Sequence, residues 1–551
     1  MSTARTAWIR GTDGLLQATL AVSGAVLAAR AIWGPFQLGL AVRSPLTAES
    51  FFGISALLLV LLRARDLRAP SSALPPPTLS FPYVIASILW IGIAAWAWSV
   101  SFPFVADDYV HVARSLQTTP AYWRSYFTVP GADRFFRPFG YLAYVVEARA
   151  FATDRFAWHA LSLGLHAVNS AMVFLIARTR RYGSWPAAAA ALYFLLHGSH
   201  PEAVAWVAGQ FDLWAAFFFF LALLAFQRST AAGNWHWTAA SCAALTCALL
   251  SKESAYVFPL ILILLLWADR APAREWLGRL APPCMVTAFV FLYRWFLLGG
   301  IGGYRTGGTP NIYSINPYSA AKALFVRPAA ILSFPVNWTV RPEWWLSATL
   351  LSALIATIVA LGANASVANV DRRKLWFGLA FFWAAALPVH ELLLIGDDLE
   401  KARVLYLPSA GVALAFAALL EALRPRVAVL AACVLLTFQT AALEHNLSIW
   451  QRVAQLADRT CRVAAQEAAA SPDGISFGGL PSTLDGVYFL GNGFRQCVEM
   501  AAKRELPQMR VDEEGRPSKS EPPKLEPGRR FHWDGRNRMF VEEPVGITNR
   551  P

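Results

Sequence analysis

"PYVIASILWIGIAAWAWSVSFPFVADDYVH", residues 82–111, runs an apolar stretch straight into two adjacent aspartates. Residues 82–102 are long and greasy enough for one helix across a bilayer, which needs about 20 such residues. The carboxylates that follow then sit at a membrane edge, where charge is costly unless it faces a cavity or a partner. The same pattern recurs on both sides. Further spans are expected near 14–33, 47–63, 156–177, 185–198, 211–227, 237–251, 254–268, 283–300, 344–363, 375–390, 404–421 and 427–444. With 82–102 that makes about thirteen, the shorter ones borrowing residues from their loops. The stretch 317–338, broken by Pro328 and Pro335, reads as an interfacial or re-entrant element.

Composition agrees. Of 551 residues, 56% are hydrophobic and only 15% charged, whereas soluble domains hold about 45–50% and 25%. The 22 tryptophans suit side chains that favour the membrane–water boundary. A net charge of +13 could point to nucleic acid, but the Lys and Arg residues fall in short clusters between apolar runs. Those clusters are "RARDLR" (63–68), "RTRR" (178–181), "DRAPAREWLGR" (269–279), "DRRK" (371–374) and "RPR" (424–426). They are topology signals of the positive-inside kind, and no nucleic-acid partner is expected.

An N-terminus placed inside, followed by strict alternation, puts every one of these clusters inside. Loops 103–155, 199–210, 252–253, 301–343 and 391–403, and the tail beyond 445, then lie outside. The basic "MSTARTAWIR" start is followed by no small-residue cleavage site, so the first span is read as retained. Four domains result: 1–80, N-terminal spans and a cytoplasmic linker; 81–445, a membrane core with outer loop 103–155; 446–505, a small extracytoplasmic unit; and 506–551, Pro- and charge-rich and expected to be poorly ordered. Cys242, Cys247, Cys284 and Cys433 lie in apolar runs and read as small core residues. Cys461 and Cys497 lie in the tail and can pair if it is outside the cytoplasm; the spacing leaves that open.

Ionisable residues gather on the expected outer side. They are Asp107, Asp108, His111 and Arg137; His200, Glu202 and Asp212 in "HPEAVAWVAGQFD"; Lys252 and Glu253; Arg305; and Arg403 after "DDLEK". Adjacent helical residues point about 100° apart, so one aspartate can face a substrate while the other holds a partner. A carboxylate kept ionised can take a proton from a hydroxyl. The competing reading makes the pair a helix-end cap. Arg137, Lys252, Arg305 and Arg403 suit phosphate oxygens. Snorkelling, an ion pair of Arg403 with the DDLEK run, and mutual neutralisation of Lys252 and Glu253 are the alternatives. His111, His200, Glu202, Asp212 and Glu253 would shape the pocket. His200 and Glu202 fall short of a zinc signature. No metal site is therefore expected and no cofactor is required, while a divalent cation on carboxylates stays open.

These stretches carry a resemblance. "FVADDYV", "FFRPFGYL", "HPEAVAWVAGQFDLWAAFFFFLALLAF", "ALLSKESAYVFPLILILLL" and "KARVLYLPSAGVALAFA" resemble the membrane core of GT-C glycosyltransferases. The nearest branch is the bacterial relatives of the tetratricopeptide-repeat transmembrane O-mannosyltransferases. The resemblance covers 80–445 and implies an all-α polytopic membrane protein. Its GT-C-type bundle would have about eleven core transmembrane helices plus about two N-terminal ones, with a small extracytoplasmic C-terminal tail.

It also implies an inverting transfer of sugar from a polyprenyl phosphate or diphosphate to an acceptor hydroxyl on the extracytoplasmic face. Asp107 or Asp108 would be the base, with Asp107 favoured, and Arg137, Lys252, Arg305 and Arg403 would hold the phosphate. The implied partners are the lipid-linked donor, membrane lipid, and a glycan, lipid or protein acceptor. The Ala-, Arg- and Trp-rich usage separately suggests a bacterial inner membrane, with the site facing the periplasm. Two points depart from the family: the C-terminal repeats are missing, and two N-terminal spans are extra. A lipid or polysaccharide transporter and a non-catalytic scaffold are the rival readings. The former should show paired halves with interrupted helices at the midplane.

Overall fold

The computed structural model describes residues 2–38, 40–42, 45–63, 81–129, 134–303, 305–306, 309–310, 316–362, 370–512 and 529–542. The chain is an all-α membrane protein with a small mixed sheet at its C-terminal end. Its helices are α1 (Ser2–Trp33), α2 (Leu46–Arg63), α3 (Phe81–Trp96), α4 (Asp107–Gln117), α5 (Pro120–Thr128), α6 (Pro138–Phe151) and α7 (Arg155–Thr179). Next come α8 (Ser184–Leu195), α9 (Pro201–Val204), α10 (Gln210–Ala232), α11 (Trp235–Ser251), α12 (Phe258–Ala268) and α13 (Ala273–Leu298). The last are α14 (Pro317–Ala321), α15 (Arg327–Ser333), α16 (Trp344–Gly362), α17 (Arg372–Ala386), α18 (Tyr406–Ala422), α19 (Pro425–Ala469) and α20 (Phe494–Ala502).

Each expected span falls on a helix. Among the described residues, eight helices are long and apolar enough to cross a membrane. α8, α12 and α16 are shorter apolar helices. α7, α10 and α18 are the most enclosed, while α13 turns Phe289 and Phe296 outward. Residues 317–333 form two short helices joined by a π turn, each beginning at or beside a proline. A prolyl residue lacks the N–H a continuing helix needs, so no span forms there.

Loop ends sort to two sides. On one, Arg180 pairs with Asp269, and Lys374 Nζ donates to Glu421 Oε2 at 2.6 Å and to the Arg181 carbonyl at 2.9 Å. The 178–183, 269–272 and 371–374 clusters thus meet, as alternation requires. The expected cytoplasmic linker at 64–80 lies outside the described residues. The two N-terminal helices form a pair closed by Arg63 and Asp13, and α2 is tied to the core where Trp338 Nε1 donates to Glu49 at 2.7 Å.

Short antiparallel pairs are β1 (Phe36–Leu38) with β2 (Leu40–Val42), and β3 (Arg305–Thr306) with β4 (Thr309–Pro310). After α19 come β5 (Ile475–Gly478), the hairpin β6 (Thr483–Leu484) and β7 (Val487–Tyr488), β8 (Met509–Asp512), β9 (Arg529–Asp534) and β10 (Met539–Glu542). The sheet order is β10-β9-β5-β8, with β5 parallel to both neighbours. A poorly ordered 506–551 is therefore corrected for 509–512 and 529–542. Phe531 and Trp533 alternate inward on β9 and reach the core through Phe477 and Phe489. Composition averaged over the tail hid that two-residue period. α19 crosses the expected boundary at 445 without a break, and a Cys461–Cys497 disulfide fastens α20 to it.

Candidate active site

The Asp107–Asp108 pair opens α4, so both carboxylates lie in a helix's first turn, where its dipole favours them. Ala106 before them holds φ 44°, ψ −118°, a strained conformation for a residue with a Cβ. Asp108 explains how that turn is held. It is fully buried; Oδ2 accepts from Val105 N at 3.0 Å and Oδ1 from Ala208 N at 2.7 Å. It thereby stitches the 105–108 turn to the 207–209 turn. Burial raises its pKa to about 8, against the pull of those amides. Asp108 does not reach the cavity, which corrects its reading as a catalytic group.

Asp107 points the other way, into a cavity of about 1380 Å³. His111, one turn on, lines the same wall, stacked on Tyr144 at 5.0 Å. The cavity lining holds five cations, Arg114, Arg137, Lys252, Arg294 and Arg403, and three carboxylates, Asp107, Asp212 and Glu253. Its wall turns apolar at Phe291, Ile301, Val389 and Leu392.

Most of these charges are paired, with partners the sequence did not reveal. Arg137 grips Glu253 through Nε and Nη2 at 2.9 and 2.7 Å, and Arg294 reaches the other Glu253 oxygen at 3.8 Å. Lys252 bonds to Asp212, not to its neighbour Glu253. Burial pulls the Lys252 ammonium down and Asp212 pulls it back. Arg403 bonds to Glu202, not to the DDLEK run. Burial raises the Glu202 carboxyl, and Arg403 opposes that. Among the described residues, Asp107 is the lining carboxylate without a salt bridge; its Oδ1 accepts from Asn492 Nδ2 at 3.0 Å.

Two pocket assignments are corrected. His200 is fully buried and bonds to Ser409 Oγ at 3.0 Å, with burial holding its imidazole neutral. Glu202 is also buried and acts on the cavity only through Arg403. Arg305 lies on β3; its side chain lies outside the described residues, while Gly302 and Gly303 before it line the cavity. The sequence reading missed Arg294, Arg114, Tyr256 and Asn492. Arg294 carried a signal, a lone cation inside the apolar run "FLYRWFLL" (291–298). Among the described residues no group of three or more His, Cys, Asp or Glu side chains is placed to hold a metal ion.

No family model matches the chain. Over 134 residues it is 29% identical to the protein O-mannosyl-transferase Tmtc1 of Drosophila melanogaster, covering 24% of this chain and 16% of that protein. The chain is similar to protein O-mannosyl-transferases. Over 178 residues it is 24% identical to the O-mannosyl-transferase TMTC2 of Homo sapiens, covering 30% of this chain and 21% of that one. The resemblance expected from the quoted stretches is thus met, over about a fifth of the length of those O-mannosyl-transferases. The crystal structure of ArnT from Cupriavidus metallidurans bound to undecaprenyl phosphate aligns over 79% of this chain and 87% of its own. The identity is 15% and the TM-score 0.43.

Proposed function

We propose that the chain is an integral-membrane glycosyltransferase of the GT-C type. It moves a sugar from a polyprenyl-phosphate or -diphosphate donor to an acceptor hydroxyl, on the extracytoplasmic face, with inversion. One observation carries the reading: Asp107, the lining carboxylate without a salt bridge among the described residues, faces a cavity that also presents Arg114, Arg137, Lys252, Arg294 and Arg403. Asp107 takes the proton from the acceptor hydroxyl. The oxygen attacks the anomeric carbon, and the bond from that carbon to the phosphate oxygen breaks in line. The electron pair leaves with the phosphate, whose charge the cations stabilise.

The cations do not act alike. Arg137, Arg294, Lys252 and Arg403 are already ordered by their carboxylates, so they meet a phosphate without losing side-chain freedom at that moment. The apolar wall at Phe291, Val389 and Leu392 suits a prenyl chain entering from the bilayer. Likeness to O-mannosyl-transferases supports the transfer chemistry. A bacterial inner membrane with the site on the periplasmic side is part of the same proposal. The Cys461–Cys497 disulfide supports an oxidising outer compartment for the C-terminal unit.

The test uses cells lacking the protein, complemented with wild type or Asp107→Asn at equal membrane level. Analysis of envelope glycans and glycolipids should show a sugar modification that only wild type restores. Full restoration by Asp107→Asn would remove Asp107 as the base.

A further inference from the structure

We infer that the C-terminal unit is part of the active site, and that Asn492 is the positioning residue for the Asp107 carboxylate. This rests on the proposed role of Asp107. The unit's nearest loop to the cavity carries the sequence "LGNGF", residues 490–494. Asn492 lines the cavity and donates Nδ2 to Asp107 Oδ1 at 3.0 Å. A carboxylate that must accept a proton at one oxygen is best oriented by a donor at the other. Among the described residues, Asn492 is what this unit contributes to the cavity lining.

The delivery is built, not incidental. A Cβ on Gly493 would lie 2.3 Å from the Ala106 carbonyl oxygen, so only glycine, at φ +76°, lets this loop touch the turn that presents Asp107. Gly486 makes the matching approach to the Asp398 carbonyl, where a Cβ would come within 2.0 Å. Between them Tyr488 stacks on Trp206 with ring centres 4.5 Å apart, and its hydroxyl accepts from Arg403 Nη1 at 3.1 Å. The unit therefore touches the candidate base and one candidate phosphate ligand together. The Cys461–Cys497 disulfide ties the helix after Asn492 to α19, and so to the membrane.

The experiment uses the full chain. Asn492→Ala, Asn492→Asp and Asp107→Asn are compared in the glycan assay. Undecaprenyl phosphate binding to the purified proteins is followed by tryptophan fluorescence, and thermal midpoints are measured. Asn492→Asp keeps the shape but replaces the donor with a second carboxylate beside Asp107, whereas Asn492→Ala removes the donor without adding charge. Expected are at least about tenfold slower transfer in both Asn492 variants, as for a hydrogen bond to a charged group, and a midpoint and a lipid affinity for Asn492→Ala like those of wild type. Wild-type transfer by Asn492→Asp, with Asp107→Asn inactive, overturns the positioning role alone. So does a loss in Asn492→Ala that follows a lowered midpoint or weakened lipid binding. Transfer by Asp107→Asn overturns the base assignment beneath it.

Discussion

Two neighbouring aspartates have opposite duties. Asp107 opens onto the cavity, whereas Asp108 is sealed behind it as an acceptor for two backbone amides from different turns. Asp108→Asn keeps the size but aims an N–H at one of those amides, where the carboxyl, protonated or ionised, presents an oxygen. It should cost about 1–3 kcal/mol of stability. Its signature lies in pH. The Asp108 carboxyl titrates at about 8, above its unfolded value, because it is buried. Its contribution to stability is therefore full at low pH and is lost as pH rises through that value. The thermal midpoint of wild type should fall between about pH 5 and pH 9, and that of Asp108→Asn should fall less. A slope equal in both proteins would show that Asp108 is not the group responsible. The sequence made the split of roles legible, because helical neighbours diverge. Helical spacing could not tell which aspartate faces inward, since that depends on Ala208, a hundred residues on; the choice of Asp107 came from the resemblance.

Among elements, the junctions between helices make the site. The 252–253 turn after α11 sends Lys252 to Asp212 at the start of α10, and Glu253 to Arg137 beside α6 and Arg294 within α13. Four helices are thus stapled around one cavity by charges that arrive already paired. Arg137 has a planar fork stacked near Phe135, 4.2 Å from the ring centre. Arg137→Lys keeps the charge and loses both the fork and the stack. Undecaprenyl phosphate should bind about tenfold more weakly to it, the worth of a charge-assisted hydrogen bond. Unchanged binding in a fluorescence titration would take Arg137 out of the phosphate set. Loop ionisables were legible because charge at a membrane edge is rare and costly. Their partners were not, because each pair joins segments far apart in sequence, and Arg294 sits within a helix that otherwise reads as plain span.

At the scale of the whole molecule, the 178–183, 269–272 and 371–374 loops meet at the Glu421 end of α18, and the cavity lies at its Arg403 end. A cysteine placed at Ser482, on the C-terminal unit, should react with an impermeant maleimide in intact cells. One placed at Arg270 should react only after the membrane is opened. Both being reactive from outside would break the alternation. Fold class was legible from the recurrence of apolar runs, eight of which form helices of spanning length among the described residues. The C-terminal sheet was not: its strands are short, and three of the four lie in or beside the segment whose charge and proline suggested disorder.

α19 joins these scales. It is a single helix of 45 residues, about 68 Å long, where the hydrocarbon layer needs about 30 Å. Such a rod works as a camshaft. Each residue added to its projecting half turns everything beyond by about 100° and advances it by about 1.5 Å. One alanine inserted between Arg452 and Gln455 would carry Asn492 off the bearing of Asp107 with every active-site residue still present. Seven inserted residues would restore the bearing to within about 20° yet lift the unit by about 10 Å. Neither should transfer sugar. The timing of the site is written in the number of residues between the bilayer and the disulfide, a quantity that no single substitution can repair.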